Sequence, residues 1–179
     1  RSRAAYKLEE LLQRDLMLKP GMVIVDLGAA PGGWSQLLAQ KSKGRCRIVA
    51  IDLLEMPPIA GVDFLQADFS SENGLAALDR LIDGAPVDLV LSDMAPNMTG
   101  VKDVDIVRSY ALAELALDFA QQRLKPGGSF AIKLFQGEGF DGYLRALRGR
   151  FAKVLIRKPE ASRDRSRELY ALALGYKPA

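Results

Sequence analysis

Short apolar runs alternate along the chain with stretches of helical period. Residues 22–27 form a β-branched apolar run, introduced by Pro20-Gly21 and closed by Gly28, which predicts a strand. Runs at 47–53, 62–66, 87–92, 129–134, 153–157 and 169–174 predict six more. Between them, Trp34, Leu37 and Leu38 set a helix over 34–41, and Leu75, Leu78 and Leu81 one over 74–82. The longest predicted helix covers 106–124, with Leu112, Leu115, Ala116 and Phe119 on one side, and Pro126-Gly127-Gly128 should stop it. Tyr143, Leu144 and Leu147 mark a helix over 140–150, and residues 4–12 a basic amphipathic one ahead of the first strand. This alternation predicts an α/β, Rossmann-like fold, a mainly parallel sheet with helices on both faces. Ligands in such folds sit at the carboxyl ends of the strands, near the point where strand order reverses. The last two runs have no helix between them, which allows an antiparallel pair. No repeat or linker interrupts the pattern, so residues 1–179 read as one domain.

Composition narrows the chemistry. The sequence has no histidine and a single cysteine, Cys46. Histidine-dependent triads, imidazole bases and His-ligated metals are excluded, as are internal disulfides and structural zinc sites. The expectation is therefore a cytoplasmic protein that uses no metal. No apolar run reaches the roughly 18 residues of a membrane span, so no membrane association is expected. The chain begins at Arg1-Ser2-Arg3 without Met, and we expect a basic segment upstream. The net charge is only +3, yet residues 48–140 carry fourteen acidic and six basic side chains, and both flanking segments are basic. Two basic ends that met in space would make a phosphate-binding face.

The loop after the first strand reads Asp26-Leu27-Gly28-Ala29-Ala30-Pro31-Gly32-Gly33-Trp34. Glycines there permit a tight turn and close approach to a ligand. The dinucleotide fingerprint needs a glycine where Ala30 stands, and Pro31 intrudes on it. An acid before the loop with small residues through it suits S-adenosylmethionine better. Asp52 follows the second strand and could take both hydroxyls of a ribose. Asp68 follows the third and could accept from an adenine amino group, and Asp93 ends the fourth. Singly, each reads as a loop acid or helix cap. Together they describe a groove that reads adenosine and attracts a cation, whereas the phosphates of NAD would be repelled. Trp34 could equally pack in the core or wall the cofactor pocket.

Four segments carry a resemblance: Asp26 to Gln36 as quoted and continued by Ser35-Gln36, Ser92-Asp93-Met94-Ala95-Pro96-Asn97, Lys133-Leu134-Phe135-Gln136-Gly137, and Ser166-Arg167-Glu168-Leu169-Tyr170. They resemble the FtsJ/RrmJ family of ribosomal RNA ribose 2′-O-methyltransferases, from Arg1 to near the C-terminus. The resemblance implies a seven-stranded methyltransferase sheet with an antiparallel last strand. It implies a catalytic Lys-Asp-Lys-Glu set at Lys7, Asp93, Lys133 and Glu168. It implies S-adenosylmethionine contacts at Gly32, Trp34, Asp52, Asp68 and Asp93. It also implies a substrate, a uridine 2′-hydroxyl in large-subunit ribosomal RNA, methylated on the ribosomal subunit by a monomeric enzyme.

A ribose hydroxyl is a poor nucleophile, so the enzyme must align oxygen, carbon and sulfur and remove a proton as the bond forms. A lysine of ordinary basicity is charged at neutral pH. Lys133 would therefore serve either as proton acceptor or as an electrostatic group that orients the hydroxyl. RNA would lie on Arg1, Arg3 and Lys7 from one basic end and on Arg145, Arg148, Lys158, Arg163, Arg165 and Arg167 from the other. Tyr6 or Phe135 could stack on a base. The rivals are an NAD-dependent oxidoreductase, a base methyltransferase, a non-catalytic RNA-binding module and a transfer-RNA ribose methyltransferase. The base methyltransferase lacks the aromatic residue its motif needs after Ala95-Pro96, and Cys46 is badly placed for carbon methylation.

Overall fold

A computed structural model describes residues 2–160 and 167–179. Among these, seven strands build one sheet: β1 (Val23–Leu27), β2 (Arg47–Asp52), β3 (Val62–Gln66), β4 (Val87–Ser92), β5 (Leu124–Phe135), β6 (Phe151–Arg157) and β7 (Glu168–Tyr176). Their spatial order is β3-β2-β1-β4-β5-β7-β6. The first five run parallel, and β7 lies antiparallel between β5 and β6. The chain runs outward from β1 through β2 and β3, then returns to β4 on the other side. The order therefore reverses between β1 and β4, where α/β folds hold ligands.

Five helices cover the sheet. Helix α1 (Arg3–Arg14) starts on Ser2, whose Oγ accepts from the Ala5 amide at 3.2 Å. Its buried positions Ala5, Leu8 and Leu11 recur at helical spacing and pack against α2 (Gly33–Ser42). Leu8 and Leu11 form one core with Ile24, Leu37, Leu38, Leu89, Leu91 and Tyr170. The opposite face is covered by α3 (Glu72–Ile82), α4 (Lys102–Arg123) and α5 (Phe140–Arg150), with Leu78, Phe119, Phe130 and Leu147 inside. Central β1 and β4 are almost wholly buried, as parallel strands covered on both sides must be.

All seven expected strands are present, but several bounds move. Helix α4 begins at Lys102 rather than 106. Its first turn is held by Asp105, which accepts from Thr99 and Gly100 amides at 2.8 and 3.2 Å. Pro126-Gly127-Gly128 is not a loop between helix and strand. The helix ends at Arg123, and β5 starts at once on Leu124, which pairs with Val87. The Pro-Gly-Gly stretch is absorbed as an irregularity of register between Val87 and Leu89, with Gly127 at φ +83°.

Candidate active site

The strand ends collect the chemistry. In β5, alternation places Lys133 and Phe135 on one face. The antiparallel register sets Tyr170 of β7 beside Lys133 and Glu168 beside Phe135. Asp93 follows β4, next door. Lys133 Nζ lies 3.4 Å from Asp93 Oδ1 and 3.4 Å from the Asp93 carbonyl. The Phe135 ring lies 5.7 Å from the same nitrogen. Tyr170 donates its hydroxyl to Asp93 Oδ1 at 3.2 Å. From the other end of the chain, α1 brings Lys7, whose Nζ meets Glu168 Oε2 at 3.3 Å. The side chains of Lys133 and Lys7 are only 10% and 12% exposed. Two partly buried carboxylate–ammonium pairs thus stand side by side, as buried charges require.

Burial dominates the electrostatics. Desolvation pushes the Asp93 carboxyl above the usual range, against the opposing pull of the Lys133 ammonium and of the hydrogen bonds from Lys133 and Tyr170. Asp26, at the end of β1, is 1% exposed. One oxygen accepts from Ser35 Oγ at 2.8 Å; the other has no partner among the described residues. Burial raises its pKa to about 7, the Ser35 hydrogen bond opposes this, and the charges of Asp93 and Asp52 raise it further. Tyr170 is raised as well, chiefly by burial.

Beside these pairs opens a cleft of about 370 Å³, lined by Gly28, Asp52, Asp68, Phe69, Asp93 and Met94 among others. It joins the β1, β2, β3 and β4 ends at the switch point, and its size suits a nucleoside-sized ligand. Asp52 takes the Ala30 and Leu54 amides at 2.8 and 2.9 Å, so it ties the loop after β1 to its own turn. Asp68 takes the Ser70 amide and hydroxyl through one oxygen. Gly74 comes so close that a Cβ there would sit 1.9 Å from the Asp68 carbonyl oxygen. Gly28, at φ +76°, presses on Met94, which a Cβ would meet at 2.6 Å. Three carboxylates and apolar walls, with no basic side chain among the described lining residues, suit a cationic adenosine derivative and repel a pyrophosphate.

The structure brings together Lys7, Asp93, Lys133 and Glu168, and it gathers Asp52, Asp68 and Asp93 on one cleft. The other two expected cofactor residues, Gly32 and Trp34, are not among the residues lining this cleft. The Trp34 side chain is buried in the α1–α2 core, with its indole N–H donating to the Ala4 carbonyl at 2.6 Å, and does not wall the cleft. Gly32 lies off the cleft as well, against Met56 and Ile59, with the φ of +112° that its turn demands. Sequence reasoning missed Tyr170, whose role follows only from the β5–β7 register. It also missed that Asp26 is fully buried. Cys46 is buried and near the Lys19 carbonyl, away from the site. The expected RNA contacts at Arg1, Arg163 and Arg165 lie outside the described residues. Tyr6 is half exposed and Phe135 partly buried.

Comparison with known proteins agrees with this geometry. A sequence model described as FtsJ-like methyltransferase matches residues 1–176. A protein of Stenotrophomonas maltophilia named ribosomal RNA large subunit methyltransferase E is 62% identical over 175 residues, 98% of this chain and 83% of that protein. One of the same name from Xanthomonas campestris pv. campestris is 61% identical over the same shares. A Plasmodium falciparum structure described as a ribosomal RNA methyltransferase superposes with a TM-score of 0.89 at 31% identity, covering both chains entirely. The fibrillarin/Nop5p complex, at 17% identity and a TM-score of 0.66 over 98% of this chain and 85% of that one, shares the fold.

Proposed function

The chain belongs to the FtsJ-like methyltransferase family, and from that premise we propose that Lys7, Asp93, Lys133 and Glu168 are its catalytic set. The protein is an enzyme that methylates ribosomal RNA at a ribose 2′-oxygen. Its substrate in this reading is a uridine of the large-subunit RNA, met within the ribosomal subunit. When bound, S-adenosylmethionine supplies a methyl group already activated by its sulfonium. Asp52, Asp68 and Asp93 would hold it, and their charge matches its cationic centres.

The observation that carries the reading is the Lys133–Asp93 pair at the mouth of the acidic cleft. With the donor bound, the ribose oxygen would gain the methyl group as the carbon–sulfur bond is lost, and the Lys133–Asp93 pair would take up the hydroxyl proton. Anchored on two Asp93 oxygens, Lys133 has a further hydrogen to offer the sugar oxygen, so its first task is orientation and stabilisation of developing negative charge. Asp93, with a raised affinity for protons, is suited to receive one. The Lys7–Glu168 pair closes the other side and places a second cation beside the hydroxyl.

The test is transfer of tritiated methyl from S-adenosylmethionine onto large ribosomal subunits from a strain lacking the modification. The expected product is one 2′-O-methyluridine, mapped by its resistance to alkaline cleavage. A methylated base, or label on transfer RNA alone, would overturn the reading.

A further inference from the structure

The Gly33-Trp34 pair, which begins α2, lies against the start of the helix that carries Lys7. The Trp34 indole donates to the Ala4 carbonyl, one turn before Lys7 on α1. Its ring stands 5.9 Å from that of Tyr170, at 42°, and Tyr170 in turn holds Asp93. Gly33 lets the helices approach: a Cβ there would lie 2.7 Å from Ser2 Oγ and 3.8 Å from the Ala5 side chain. One indole thus bonds α1 through its N–H and packs, tilted, on Tyr170. An indole N–H buried at 3% exposure needs an acceptor, and Ala4 is the acceptor it has.

We propose that Trp34 is a positioning residue for the transfer: its side chain fixes the placement of α1 relative to the start of β7 and so sets where the Lys7 ammonium stands. The inference rests on the reading of Lys7 as part of the catalytic set. Lys7 reaches Glu168 from a helix whose first turn is bonded to α2 through the Trp34 indole, so a shift of that contact is transmitted to the ammonium one turn on. Misplacement on that scale is costly for a reaction that depends on alignment.

The test is single-turnover methyl transfer on large ribosomal subunits with Trp34→Phe, Lys7→Ala and the double variant, alongside calorimetric titration of S-adenosylmethionine. Phenylalanine keeps a ring against Tyr170 and removes the N–H. The expected result is a rate lowered by about ten-fold or more, an affinity for S-adenosylmethionine within about two-fold of the parent, and little further loss on adding Trp34→Phe to Lys7→Ala. Equal losses in both backgrounds, or weaker cofactor binding at an unchanged rate, overturn the proposal. Should Trp34→Phe not fold, Trp34→Leu, which also removes the indole N–H, carries the same expectation and is refuted by the same outcomes. Full activity in Lys7→Ala would instead remove the reading beneath it, whereas loss there with none in Trp34→Phe removes this inference alone.

Discussion

Asp26 offers a sharp test of what burial does in this fold. Its carboxyl ends β1 inside the sheet, one oxygen bonded to Ser35 and the other without a partner among the described residues. With its pKa at about 7 against an ordinary 3.8, the native state keeps a proton that the unfolded chain has already released. Between those values the native protein binds more protons than the unfolded one, so stability falls as pH rises. The loss is about 1.4 kcal/mol for each pH step within the window, on the order of 4 kcal/mol by neutrality, and it stops above pH 7. An asparagine in its place would keep an acceptor for Ser35 and could not ionise. Urea unfolding of the parent and of Asp26→Asn from pH 5 to 8 should give stability curves that diverge in favour of the variant up to about pH 7 and run parallel beyond. Asp93 is also raised and is present in both proteins, so most of its own contribution cancels in the difference. Parallel curves across the whole range would refute the assignment of a buried, neutral carboxyl.

Three further outcomes are expected. Lys133→Ala should lower the methyl-transfer rate by about 10²-fold or more while S-adenosylmethionine still binds, and near-normal turnover would exclude the proposed role. Tyr170→Phe removes a hydrogen bond that favours ionised Asp93; the acid limb of the pH–rate profile should therefore move to higher pH, and an unmoved limb would show that Asp93 does not titrate in the reaction. Gly74→Ala drives a methyl into the Asp68 carbonyl. It should weaken S-adenosylmethionine binding measurably by titration and lower the melting temperature, and a variant with parent-like affinity would mean that Asp68 is not a cofactor group.

The strands were legible because their apolar runs are short, β-branched and bounded by Gly, Pro or Asp, and β1 and β4 are buried on both faces as such runs require. Errors fell where apolar content and local structure part company. The first turn of α4 exposes Val104 and buries Asp105, the reverse of the pattern that marks a helix. Pro126-Gly127-Gly128 carries the strongest breaker chemistry in the chain, yet a sheet tolerates it as an irregularity beside β4. Of the candidate site, Asp52, Asp68 and Asp93 were legible as strand-end acids, whereas the proposed four-residue catalytic set came from the resemblance. The meeting of Lys7 with Glu168 has no local signal, since 161 positions separate them. The placement of Trp34 was open in the sequence, because core packing and a pocket wall predict the same apolar residue; the side chain packs against α1.

The sandwiching of β7 between β5 and β6 has a consequence for biosynthesis. A polypeptide made from its N-terminus delivers both neighbours before the strand that must enter between them, so the sheet is completed out of order and by distant pairing, a slow route. Until that insertion, β5 presents unpaired backbone along its length, an invitation to mispairing. Glu168 and Tyr170 arrive on the same late strand. The proposed catalytic carboxylate Glu168 and its neighbour Tyr170 are therefore in place only after the other six strands have been made.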